Sequence, residues 1–175
     1  DYYRTPNIDR LAKEGVTFTN AYAAAANCAP SRASLMTGLY TPRHGVFTVG
    51  NSDRGKAAHR RLIPATNKTV LTRTLPTMAQ VLKKAGYRTA VAGKWHLSDD
   101  PIPYGFDTNF GGLKWGAPKS YFSPYRNPKL KDGPKGEHLP ARLATDLCHW
   151  IRNAEEKSER FFVYFPFYSV HTPIQ

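Results

Sequence analysis

Acidic residues, cysteines and long apolar runs are all scarce in this chain. Among its 175 residues, Asp and Glu number 13 against 25 Lys and Arg, giving a formal net charge of +12. Such an excess favours polyanionic partners: sulfated glycans, nucleic acid or anionic surfaces. The basic residues are spread along the chain, and no helix-turn-helix, RNA-recognition or zinc-finger spacing occurs, so no nucleic-acid partner is expected. The two cysteines, Cys28 and Cys148, make no disulfide framework. Cys148 falls in an apolar-periodic helical pattern and is expected in the core. No apolar run approaches the length needed to span a bilayer, so no membrane span is expected. No Met or signal peptide precedes Asp1, and Gln175 follows closely on a motif-like His-Thr-Pro, so both ends read as cut. With 41% hydrophobic and 13% aromatic residues, what is present should fold.

The most informative stretch runs from Asn27 to Gly38, after a small-residue run at 21–26. Pro30 suits a first helical turn, where a missing N–H costs nothing. Gly38 suits the position just past a helix end. The spacing therefore predicts one short helix with Cys28 at its entrance and Arg32 one turn along the same face. The positive end of the helix dipole and the guanidinium then converge on the sulfur. A thiol so placed is a low-pKa nucleophile or the precursor of a modified one.

Around this helix the chain reads as alternating α and β segments. Thr5-Pro6-Asn7 opens a helix closed by Gly15, and Val16–Tyr22 alternates like a strand. His44 falls in a Gly/Pro-bounded loop and is expected at the surface. Residues 50–74 read as a polar surface excursion, with Arg54, Lys56, Arg60 and Arg61 solvated. A helix from Leu75 to Gly86 should face inward with Met78, Val81, Leu82 and Ala85. Tyr87–Ala92 reads as a buried strand with Gly93-Lys94-Trp95-His96-Leu97 at its carboxyl end, where catalytic groups gather in open α/β sheets. If the chain stays extended there, Lys94 and His96 leave the same face. Residues 101–127 show no clear helix, and their aromatic run Tyr121-Phe122-Ser123-Pro124-Tyr125 suits either a sugar platform or packing under a loop. An amphipathic helix over 139–157 precedes a strand at 161–167, with His171 just beyond it. Three βα-type units should thus bring Cys28 with Arg32, Lys94 with His96, and His171 to one rim.

Cys28-Ala29-Pro30-Ser31-Arg32 followed by Thr37-Gly38 resembles the type I sulfatase signature. Gly93-Lys94-Trp95-His96-Leu97 is similar to a second landmark of that family, and Phe167-Tyr168-Ser169-Val170-His171-Thr172-Pro173 to a third. The Thr5–Asn20 segment, the Gly45 loop and Gly105-Phe106-Asp107 extend the resemblance over nearly the whole chain. It implies an alkaline phosphatase-like fold, a three-layer α/β/α sandwich around a mostly parallel mixed sheet. Residues 1–175 would be a truncated part of a single N-terminal catalytic domain.

The resemblance also implies a mechanism. Cys28 is oxidised to formylglycine by a formylglycine-generating maturation enzyme and hydrated. One hydroxyl attacks the sulfur of a sulfate ester, and the other, once deprotonated, expels sulfate. Arg32 holds the hydrated side chain, Lys94 binds sulfate, His96 takes the proton that starts elimination, and His171 contacts sulfate and protonates the leaving oxygen. One calcium ion is implied, with modified Cys28 as the only metal donor in this chain and the other ligands outside it. The substrate is an aryl sulfate or, better matched by the Tyr121 stretch, a carbohydrate sulfate. A periplasmic or secreted setting follows by the same resemblance. The alternatives are a formylglycine-dependent phosphonate monoester or phosphodiester hydrolase, and a non-catalytic module that binds sulfated glycans.

Overall fold

The computed structural model describes residues 3–173. Its elements in chain order are α1 (Pro6–Glu14), α2 (Cys28–Thr37), α3 (Thr41–His44), α4 (Met78–Lys84), β1 (Arg88–Ala92), β2 (Thr108–Phe110), α5 (Leu139–Glu156) and β3 (Phe161–Tyr164). The strands form a three-stranded sheet in the order β2-β1-β3. Both pairings are parallel, with Val91 level with Asn109 on one side and Tyr164 on the other.

β1 is central because small and β-branched residues let it be covered on both faces; Thr89 to Ala92 are all buried. Ala90 and Ala92 face α5, whose Leu147 and Trp150 pack against them. Val91 faces the opposite layer, with Ala29, Ala33 and Met36 of α2, Ala79 of α4, and the rings of Trp95 and Phe106. The expected α/β/α layering is therefore present in the described residues.

The helix boundaries follow their local chemistry. Thr77 caps α4 in a reciprocal box: its Oγ1 accepts from the Gln80 N–H, and Gln80 Oε1 accepts from the Thr77 N–H. α2 ends on Gly38 at φ 69°, the left-handed position glycine occupies without penalty.

Several expectations are corrected here. Residues 16–22 form no strand: Val16 and Phe18 are 80% and 78% exposed, and alternation without an adjacent edge gives the backbone no ladder to join. Along α4 only Ala79 is fully buried, while Val81 is exposed, because the capped first turn rotates Ala79 toward β1. Cys148 is exposed: it lies one residue past buried Leu147, hence about 100° round α5 on the outer side. β2 lies within 101–127, the stretch read only as showing no clear helix. The 50–74 segment does run over the surface, but Arg60 pairs with Asp53 and Arg54 donates to the Val49 carbonyl, so neither is merely solvated.

Candidate active site

α2 begins where the chain can turn sharply into a helix. Asn27 is extended and its Nδ2 donates to Thr48 Oγ1 at 3.1 Å. Ser31 Oγ donates back to the Ala25 carbonyl at 2.9 Å, pinning the incoming chain against the first turn. Cys28 is thereby held half-buried at the amino end of α2. It lines an open depression of about 370 Å³ together with Ser31, Arg32, Leu35, Tyr164 and Pro166.

Arg32 points from α2 across the carboxyl ends of the strands. Its Nη1 donates to the Lys94 carbonyl at 2.7 Å and to the Tyr164 hydroxyl at 3.1 Å. Its Nε is buried and has no partner among the described residues.

Lys94 is only 3% exposed. Its N–H donates to the Pro166 carbonyl at 2.9 Å, tying the end of β1 to the chain leaving β3. That approach requires Gly93, at φ 96°, since a Cβ there would lie 2.4 Å from the Pro166 oxygen. Burial pulls the Lys94 pKa below the usual lysine range; the Cys28 sulfur within hydrogen-bonding reach opposes that shift, and Arg32 adds to it.

The chain does not stay extended past Lys94, as the shared-face expectation required. His96 takes φ 61°, so it reaches the site by a left-handed turn around the fully buried Trp95. Its N–H donates to the Leu113 carbonyl at 2.8 Å. Its ring packs on Gly116, where a Cβ would stand 2.7 Å from His96 Cε1. Burial first, then the charges of Lys94, Arg32 and His171, bring the His96 pKa down to about 4. His96 is therefore neutral at physiological pH.

His171 is exposed, on the loop after β3. Its backbone is held by the Tyr121 hydroxyl, which reaches the carbonyls of Tyr168 at 3.0 Å and His171 at 2.9 Å. The structure thus brings Cys28, Arg32, Lys94 and His96 together, with His171 at the margin and close enough for its charge to act on His96.

No carboxylate is among the groups that shift Lys94 or His96. Calcium takes six to eight oxygen ligands, carboxylates foremost. Among the described residues no group of three or more His, Cys, Asp or Glu side chains is disposed to hold a metal. The residues described here do not fit a calcium site.

Two further expectations are resolved. His44 is wholly buried, not on the surface. The Val46 N–H donates to its Nδ1 at 3.0 Å, so Nε2 carries the proton and donates to Ser34 Oγ, also at 3.0 Å. It braces the back of α2. In the aromatic run, Tyr121 and Tyr125 are buried and Tyr125 donates to Glu137, so these rings pack, while Phe122 remains 40% exposed beside His138.

Tyr164, Gly116 and the anchoring role of Tyr121 were not foreseen. For Tyr164 a signal was present: Phe162 and Tyr164 alternate onto the face of β3 that packs against the α2–α4 layer.

The family model described as Sulfatase matches residues 1–175. N-acetylgalactosamine-6-sulfatase of Homo sapiens is 32% identical over 194 residues, covering 97% of this chain and 35% of that protein. A protein of Formosa agariphila named Sulfatase is 31% identical, covering 99% of this chain and 40% of its own length. Among solved structures, Ps i-CgsB in complex with k-i-k-neocarrahexaose superposes with a TM-score of 0.72 at 28% identity, covering 98% of this chain and 41% of that one. The chain spans 35–41% of the length of these relatives.

Proposed function

This chain belongs to the sulfatase family, and we propose that residues 1–175 are part of a single N-terminal catalytic domain that hydrolyses sulfate esters, those of carbohydrates in particular. The observation that carries the reading is the arrangement around Cys28: Arg32 lines the same depression, Lys94 lies within reach of the Cys28 sulfur, the neutral imidazole of His96 feels both cations, and no carboxylate is among the groups that shift Lys94 or His96. A sulfate monoester is an anion, and a nucleophile approaches it only where positive charge surrounds its oxygens. The carbohydrate preference is supported by the amino-sugar sulfatase and by the oligosaccharide complex among the relatives.

Oxidised to formylglycine and hydrated, residue 28 supplies both the hydroxyl that attacks sulfur and the one whose deprotonation releases sulfate. Arg32, fixed by the Lys94 carbonyl and Tyr164, offsets the negative charge that develops beside residue 28. Lys94 binds a sulfate oxygen from the buried side. His96, held neutral, accepts the proton whose removal triggers elimination. His171 contacts the ester from the open side and protonates the leaving alcohol oxygen. In the family calcium polarises such a site, but no step is assigned to it here because the described residues do not fit one. By itself the 175-residue chain should bind calcium weakly, with no micromolar site by calorimetry.

A formylglycine-generating enzyme is the implied maturation partner, a sulfated glycan or small molecule the substrate, and the periplasm or the cell exterior the setting. No helix among the described residues is long and apolar enough to cross a membrane. The decisive experiment is intact-mass analysis of the Cys28 peptide from full-length protein made with a competent maturation enzyme. The aldehyde mass is expected, together with aryl-sulfate turnover well above aryl-phosphonate turnover and near-complete loss in Cys28→Ala. An unmodified thiol, or full activity in Cys28→Ala, would sink the reading.

A further inference from the structure

The carboxyl end of β3 carries a hydroxyl that the mechanism above mentions only as a contact of Arg32. Tyr164 is the last residue of β3 and pairs in register with Val91 of β1. Its ring lies near-parallel to Phe106, with centroids 6.4 Å apart. Its hydroxyl emerges at the depression lined by Cys28 and Arg32 and accepts a hydrogen bond from Arg32 Nη1. The other Nη1 hydrogen goes to the Lys94 carbonyl. Nη1 carries two hydrogens, so these two acceptors together use it up and fix the plane of the group. What remains for an incoming anion is Nη2, since Nε is buried, with no partner among the described residues.

Resting on the sulfatase reading above, we propose that Tyr164 is a positioning residue: its hydroxyl sets the angle at which Arg32 presents Nη2 to the reacting centre beside residue 28. The Lys94 carbonyl alone defines one point on the guanidinium and leaves it free to swing about that bond. Tyr164 supplies the second point. The phenol suits this task because its ring is anchored by the sheet and by Phe106, so its oxygen does not move with the loops. The neighbouring Tyr168 is buried, but its hydroxyl is spent on the Gly111 carbonyl at 3.2 Å.

The test is a double-mutant cycle on the matured, full-length protein with an aryl sulfate. Tyr164→Phe removes one oxygen and keeps the ring, so the melting temperature should hold while kcat falls about tenfold, the typical weight of a hydrogen bond to a charged group. In an Arg32→Lys background, where no fork remains to be oriented, Tyr164→Phe should cost no further activity. A second readout does not depend on turnover. In protein labelled with 15N-arginine, rotation about the Arg32 Cζ–Nη1 bond should be faster in Tyr164→Phe than in wild type. Equal rotation in both, or the same loss of kcat in both backgrounds, overturns the inference. Failure of matured wild type to turn over any sulfate ester overturns the functional reading instead, and leaves the rotation measurement to decide this one.

Discussion

Lys94 with His96 and His171 come to the same site by different means. The first pair follows directly from the central strand: Lys94 is almost wholly buried, and its backbone and that of His96 are bonded to the Pro166 and Leu113 carbonyls. His171 stands exposed on a loop and relies on a tyrosine hydroxyl from another loop for its placement. Under the proposed function, the difference separates a rigid anion seat from an adjustable outer contact. On the function proposed above, the seat meets the sulfate common to all sulfate esters, and the outer contact accommodates whichever alcohol is leaving.

Removing charge from the seat should break this arrangement most severely. Lys94→Met is expected to lower kcat by about a hundredfold or more, the scale of losing a preorganised electrostatic contact. The same variant relieves one of the charges on His96, whose pKa should climb from about 4 toward the ordinary histidine value in an NMR titration. Because folding holds that pKa below the unfolded value, the contribution of His96 to stability is complete above the ordinary histidine pKa and fades as pH falls toward about 4. Denaturation midpoints should therefore drop through that window less in Lys94→Met than in wild type.

A subtler way to disturb the seat leaves every charge in place. Gly116→Ala puts a methyl against the His96 ring, so kcat should fall by about ten- to a hundredfold, as misplacement of a reacting group does, with little change in melting temperature. Tyr121→Phe is directed at the outer contact. It removes the hydroxyl holding the His171 and Tyr168 carbonyls and should cost about 1 kcal/mol of stability in chemical denaturation. Its kinetic effect should be smaller than either seat variant, and larger for poor leaving groups than for activated aryl sulfates. Equal losses across leaving groups would place Tyr121 with the seat.

The same division governs what could be read in advance. The helix from Cys28 to Gly38, the strand before Lys94, the amphipathic α5 and the strand before Tyr168 each carry their own pattern, whether a cap, a turn glycine or an apolar stripe. β2 could not be read because it is only three residues long and exists by pairing with β1. Position 148 misled because one step along a helix turns the side chain about 100°. His44 misled because its partners, Ser34 and Val46, satisfy a buried imidazole in a way local composition does not announce. Gly116 became meaningful only when a left-handed turn at 96 brought the imidazole against it.

The clustering of Arg32 and Lys94 beside a lowered-pKa histidine has one further consequence. Like charges crowded with no carboxylate beside them work against the compact state. An oxyanion that settles there relieves that repulsion, and by mass action raises the melting temperature in proportion to the logarithm of its concentration. Under the proposed function, ligand and fold are thus coupled at this point: the anion this corner is proposed to recognise would also strengthen it.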